Sequence, residues 1–199
     1  MGTGKTRKAI VDAARQLFAA QGFGCVTMGD IAVAAGRGRR TVYSHFRNKE
    51  EIYDAVVENE LEILSEMLSQ VASRHSPPDK KLIELIFARL DTIRTVVSRN
   101  GTLHADFFRD IIRVENVRRT FDSKEIALIK TILIEGVEKG VFSIQDIDIT
   151  AKIIHYCVKG IEVPYILGKL TGDLPSGQRK KIVEDLILGA LAGMRRCDE

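Results

Sequence analysis

Apolar residues recur along this chain at helical spacing almost throughout, and no stretch sustains the alternation that a half-buried strand needs. The pattern predicts an all-α protein of about nine helices. The first is expected from about Thr6 to Gln21, with Ile10, Ala13, Ala14, Leu17 and Phe18 on one stripe and Gly22 closing it in the left-handed conformation. Thr27, followed three residues later by Asp30, predicts the cap of a second helix. A short third helix ends at Phe46, and Asn48 with Glu51 opens a long one from Lys49 to about Arg74. At Ser76-Pro77-Pro78-Asp79 the serine reads as a cap, proline as a first-turn residue and the aspartate as a partner of the positive helix end. Further helices are expected at about 78–98, 103–116, 123–139, 148–170 and 176–195. Their breaks are Asn100-Gly101, Asp122 with Glu125, Gly140, and Gly172 to Pro175. Pro164 lies inside the penultimate helix and is expected to kink it or end its regular part.

Residues 27–46 are the most informative stretch. Two short helices that cross steeply need a small residue where they touch, which Ala32 supplies, and a glycine in the tight turn between them, which Gly36 supplies. Val42 then plugs the joint, and Ile31, Ala35, Val42 and Phe46 bury the back of the unit against Leu17 and Phe18. Each helical residue turns about 100°, so an inward Val42 puts Arg40 and Ser44 nearly opposite, with Thr41 and Tyr43 beside them and Arg39 and His45 long enough to reach around. A guanidinium can pair bidentately with guanine in the major groove, which makes Arg40 the first candidate base reader and Arg39 the second. The expected base-facing set is Arg39, Arg40, Thr41 and Ser44. The expected phosphate-contacting set is Thr27, Tyr43, His45 and Lys49, whose hydroxyls, imidazole and ammonium border that face. Plainer roles compete: an edge-of-core ring for Tyr43, a first-turn surface position for Lys49, and solubility for Arg37, Arg39 and Arg40.

Charge strengthens the nucleic-acid reading. Residues 1–50 hold nine Lys/Arg against three Asp/Glu, a net +6, whereas residues 51–199 hold 21 against 24, a net −3. A basic block on a small folded unit beside a mildly acidic body is the electrostatic footprint of polyanion binding. With 45% apolar and 29% charged residues, four Pro and 16 Gly, the chain has no low-complexity or collagenous bias. Cys25, Cys157 and Cys197 are far apart and odd in number, so they read as free thiols rather than a disulfide framework or a metal cluster, and no cofactor is expected. No apolar run approaches the roughly 20 residues that span a bilayer, and no apolar segment follows Lys5-Thr6-Arg7-Lys8, so the expected location is the cytoplasm. Gly2-Thr3-Gly4-Lys5-Thr6 looks like the tail of a phosphate-cradling loop but lacks the earlier glycine and the strand such a loop needs. The same residues fit a permissive myristoylation string, which carries little weight.

Taken together, Thr27, Ile31-Ala32, Ala35-Gly36, Thr41-Val42-Tyr43, His45-Phe46, Lys49-Glu50 and Ile52 resemble the DNA-binding signature of the tetracycline-repressor (TetR) family of bacterial one-component regulators. The resemblance covers about 50 residues, and the remainder agrees in helix count and order. It implies a three-helix DNA-binding domain, taken as residues 1–48, and a helical effector-binding and dimerisation domain, residues 49–199. It also implies a homodimer formed by the last two helices. By the same resemblance Thr27, Tyr43 and Lys49 match phosphate-contacting positions, and Arg39, Arg40, Thr41, Ser44 and His45 match positions facing the groove. Arg37 and Gly38 depart from the family's usual small apolar and polar residues, which leaves the start of the recognition helix open.

One recognition helix offers too few base contacts to find a single site in a genome, which is the physical argument for two copies on a palindromic operator. The last helix carries more apolar face than one core contact requires. Ile182, Leu186, Gly189, Ala190 and Gly193 are its expected interface residues, although a wholly internal packing face is the plainer alternative. Polar and aromatic groups in apolar stretches, Arg89, His104, Phe107, Phe108, His155 and Tyr156, are the candidate lining of an effector pocket. The expected function is therefore a ligand-responsive regulator, most simply a repressor, with double-stranded DNA, a second copy and a small molecule as partners. A DNA-binding or architectural protein without an effector is the alternative. An enzyme is not expected, because His104 near Asp106 and His155 near Cys157 are too close in sequence to face each other on a helix.

Overall fold

A computed structural model describes residues 3–99, 111–170 and 176–192 of the 199-residue chain. Among these residues there are eight α-helices and no strand. They are α1 (Thr3–Gln21), α2 (Met28–Ala34), α3 (Arg39–His45), α4 (Lys49–Ala72), α5 (Pro78–Arg99), α6 (Ile111–Glu138), α7 (Ile147–Ile166) and α8 (Ser176–Leu191). The described residues gather into two compact units, one drawn from 1–63 and 95–121, the other from 64–94 and 122–199.

The first unit is organised by an apolar core. Ile10, Val11, Ala14 and Phe18 of α1 meet Val26, Ile31, Ala32, Val42 and Phe46, and the cluster takes in Ile52, Tyr53, Ala55 and Val56 of α4. The start of α4 therefore belongs to this core as fully as the helices before residue 48. Phe18, Phe23 and Tyr53 form a ring trio with centroids 5.1–5.9 Å apart in tilted and edge-on arrangements.

The second unit is built on buried Leu82, Leu85, Ile86 and Leu90 of α5, Ile129, Ile132 and Leu133 of α6, and Ala151, Ile154 and Val158 of α7. Gly136 lies under the Phe142 ring, which a Cβ at that position would strike, so the α6–α7 loop folds back on its own helix.

Three expectations are corrected. The break foreseen at Asp122 and Glu125 is absent, because α6 runs unbroken through both. These acids do not cap a helix: Asp122 pairs with Lys159 and Glu125 with Arg89 and His155. Ser76 does not cap α5, since Lys81 N donates to Pro77 O at 3.0 Å and Ser76 Oγ has no hydrogen-bond partner. Pro77 thus holds the cap position and Pro78 the first turn, where neither needs an N–H. The penultimate helix stops at Ile166 rather than near residue 170, two residues past Pro164. Gly168, at φ 67°, lets Lys169 N reach back to Pro164 O.

Candidate nucleic-acid interface

The joint between α2 and α3 follows from its local chemistry. Thr27 and Asp30 form a reciprocal cap, in which Asp30 N donates to Thr27 Oγ1 (3.2 Å) and Thr27 N donates to Asp30 Oδ2 (2.9 Å). The Thr27 hydroxyl also donates to that carboxylate at 2.7 Å. These hydroxyl and backbone hydrogen bonds, helped by the charge of Arg39, hold Asp30 below the ordinary carboxylate range. With its proton given to Asp30, the Thr27 hydroxyl has no donor left for a phosphate.

At the other end of α2, Gly36 sits at φ 61° while Gly36 N bonds Val33 O (3.0 Å) and Arg37 N bonds Ala32 O (2.9 Å). This is the six-to-one and five-to-two pairing of a Schellman motif, which a residue with a Cβ would strain. Arg37 therefore closes α2, and its Nη1 donates to Gly36 O. Gly38 is extended (φ −68°, ψ 149°), and its carbonyl accepts from Thr41 N and Val42 N. The recognition helix begins at Arg39, so both residues that left its start open lie before it.

Behind α3, Val42 and Phe46 are buried at 0% and 3% exposure. In front, Arg39, Arg40 and Ser44 are exposed, Thr41 and His45 are partly buried, and Tyr43 is 54% exposed. Ser44 Oγ donates to Thr41 O at 2.8 Å, while Arg40 is an exposed cation in the first turn of the helix. Arg39 lies differently: Nη2, Nε and Cζ of its guanidinium are 2.6, 3.1 and 3.2 Å from where a Cβ on Gly29 would be. Sequence reasoning missed that seat. The glycine at a helix start beside an N-cap was its only sign.

Lys49 has a different environment from the one its sequence position suggested. Its Nζ donates to Phe23 O (2.6 Å) and Val26 O (2.8 Å) and lies 4.3 Å from the Phe23 ring centroid. Two of its three N–H groups lock the α1–α2 loop. Asn48 Oδ1 caps α4 by accepting from Glu51 N, and Glu51 in turn accepts from Arg47 N.

In the second unit, Arg89 and His155 meet through carboxylates. Arg89, fully buried, puts Nε 2.6 Å from Glu125 Oε1 and Nη2 3.0 Å from Glu162 Oε2. His155, also fully buried, has Nδ1 2.9 Å from Glu125 Oε2 and Nε2 3.8 Å from Asp122 Oδ1, and Asp122 pairs with Lys159 at 2.9 Å. Burial alone would lower the imidazole pKa, but the neighbouring carboxylates of Asp122 and Glu125 outweigh it, and His155 lies above its ordinary value.

Asp122, Glu125 and His155 offer one ligand atom each within 4.8 Å of one another, a spacing a divalent ion could use. Arg89 and Lys159 already neutralise those carboxylates at hydrogen-bond distance, so a third cation would meet two fixed ones. The arrangement fits a self-balanced charge network. Glu125, Glu162, Asp122 and Lys159 were not among the expected site residues, although Glu162 inside the apolar run Ile161 to Ile166 was a visible signal.

Tyr156 is 61% exposed, its ring edge-on to that of His155 at 5.0 Å, and His104, Phe107 and Phe108 lie outside the described residues. Along α7 and α8 runs an apolar groove of about 790 Å³, lined among others by Ile149, Ile153, Cys157, Ile182, Leu186 and Ala190. Ile182 and Leu186 are 52% and 71% exposed, Gly189 and Ala190 are exposed, and Gly193 lies outside the described residues. No helix among the described residues is long and apolar enough to cross a membrane.

Residues 10–56 match the model of the family described as bacterial regulatory proteins, tetR family, a span that holds the capped α2, the glycine turn and the recognition helix. TtgW of Pseudomonas putida, an HTH-type transcriptional regulator, is 34% identical over 103 residues, which are 44% of this chain and 77% of TtgW. The HTH-type transcriptional repressor KstR2 of Mycolicibacterium smegmatis is 26% identical over 161 residues, 75% of this chain and 74% of that protein. The same fold occurs in a transcriptional regulator from Cytophaga hutchinsonii, at 19% identity and a TM-score of 0.74, over 94% of this chain and 98% of that one. With the site geometry and these likenesses in agreement, the chain belongs to the tetR family of bacterial transcriptional regulators and is a DNA-binding regulator.

Proposed function

We propose that this regulator is a repressor that binds a palindromic operator as a homodimer and leaves it when a small molecule binds its second unit. The observation that carries the reading is the two-sidedness of α3, with Val42 and Phe46 locked behind and Arg39, Arg40 and Ser44 outward. A braced helix can present side chains to base edges without losing its own fold. Arg40 is the principal base reader, with Arg39, Thr41 and Ser44 beside it. Tyr43 and His45 border the face where backbone phosphates would run. Repression is in keeping with the name of KstR2.

The dimer reading rests on the groove of α7 and α8. Ile149, Ile153, Ile182 and Leu186 expose large apolar side chains on two neighbouring helices, more than a monomer surface usually leaves uncovered in one place. A second copy of the same face is self-complementary and gives the two-fold axis a palindrome requires. The division of labour falls near residue 48, with DNA contacts before it and effector and partner contacts after it. Release would come from a ligand that favours a conformation whose two recognition helices no longer match the groove spacing.

Selection from random duplexes tests the whole reading. A palindrome should emerge, and Arg40→Ala should cost about 1–3 kcal/mol on it while relaxing one base position per half-site. Equal weakening on every sequence would place Arg40 on phosphates instead. A thermal-shift panel of metabolites and drugs tests the effector, since a compound bound only by the native state must raise Tm.

A further inference from the structure

Resting on that DNA-binding reading, we infer that Gly29 is a positioning residue for recognition: lacking a side chain, it seats the Arg39 guanidinium against the first turn of α2 and fixes the direction from which Arg39 meets a base.

The glycine is not required by its backbone. Gly29 lies in α2 and is absent from the positive-φ glycines, which among the described residues are Gly22, Gly36, Gly140 and Gly168. Its requirement is spatial: Nη2, Nε and Cζ of Arg39 all lie within 3.2 Å of the place a Cβ would take. Gly29 is buried although its neighbours Thr27 and Asp30 are exposed, as expected of a residue roofed by a flat cation. The adjacent Asp30 carboxylate supplies an opposite charge that Arg39 feels, so the seat has a floor and an electrostatic wall. Arg40, one residue on, is not among the atoms meeting that position and is left to project on its own. Two neighbouring arginines are thereby sent in different directions, and a long flexible side chain is partly ordered before DNA arrives.

The substitution that tests this should spare the fold. At Gly29→Ala the new methyl meets the tip of a mobile side chain rather than backbone, and alanine suits a helix better than glycine. The full chain, wild type, Gly29→Ala and Arg39→Ala, is measured for Tm, for base preference by selection from random duplexes, and for Kd on the preferred and a scrambled duplex at one salt concentration. Expected for Gly29→Ala are a Tm at or above wild type, binding to the preferred duplex weaker by about 5-fold or more, and scrambled-duplex binding within about 2-fold of wild type. The base position that relaxes should be the one that Arg39→Ala relaxes. Unchanged preference and affinity in Gly29→Ala would overturn the inference. So would a fall in Tm with equal losses on both duplexes, which would make Gly29 a helix spacer, or an Arg39→Ala variant with wild-type preference. If the wild type itself binds no duplex at low ionic strength, the DNA-binding reading fails first, and the two failures are distinguishable.

Discussion

The recognition helices of the first unit and the buried network of the second keep charge in different places. In the first, the interior is Ile10, Phe18, Ile31, Val42, Phe46 and Ile52, and the cations of α3 stand outside. In the second, Arg89, Glu125, Glu162 and His155 are inside, each no more than 3% exposed. A charge at the surface is available to a partner. Once buried and paired, it is committed to holding helices in one arrangement, here α5, α6 and α7, and removing one member leaves the others uncompensated. The first unit is thus built to display chemistry and the second to enclose it.

Mirror-image substitutions should expose this difference. Arg89→Ala strands Glu125 and Glu162 in the interior and should cost about 3–5 kcal/mol in urea unfolding. A loss below about 1 kcal/mol would mean that water reaches the network. Val42→Thr does the reverse, placing a hydroxyl without a partner in the apolar core, and should cost about 1–3 kcal/mol by the same measurement. Lys49→Met unlocks the loop before α2 and should cost about 1–2 kcal/mol with the salt dependence of DNA binding unchanged. A salt slope lower by about one unit per half-site at constant Tm would instead return Lys49 to the phosphate contacts.

The smallest effect is the pH response. His155 is raised above 6.5, so its protonated form stabilises the fold fully below that value, and this contribution is lost as pH rises through the higher folded-state value. With the imidazolium present, the charges of Arg89, Lys159 and His155 balance those of Asp122, Glu125 and Glu162; without it the network carries one excess negative charge. Urea midpoints should therefore decline on the alkaline side of the histidine range in the wild type and stay flatter in His155→Gln. Equal slopes would remove His155 from the balance.

Legibility in the sequence follows the same division. The recognition unit is specified locally: Thr27 with Asp30, Gly36 and Val42 act over spacings of a few residues, so a linear reading finds them. Charge pairing in the second unit joins residues 30 to 73 positions apart, and periodicity cannot see it. Asp122 and Glu125 show the cost. An acid at i and another at i+3 read as a helix start, whereas in the fold they answer cations and a histidine from α5 and α7. Lys49 shows the same limit: its sequence position suited phosphate, and the carbonyls it binds, 23 and 26 residues earlier, lie beyond a local reading.

Both hydrogen bonds of that lysine go to the chain itself, because its acceptors are peptide oxygens. Its hold does not depend on the chemistry of residue 25 lying between them, provided the path of the loop is kept. Cys25, exposed and unbridged there, is consequently a natural attachment point for a fluorescent or spin label that would report on the recognition unit without disturbing what fastens it.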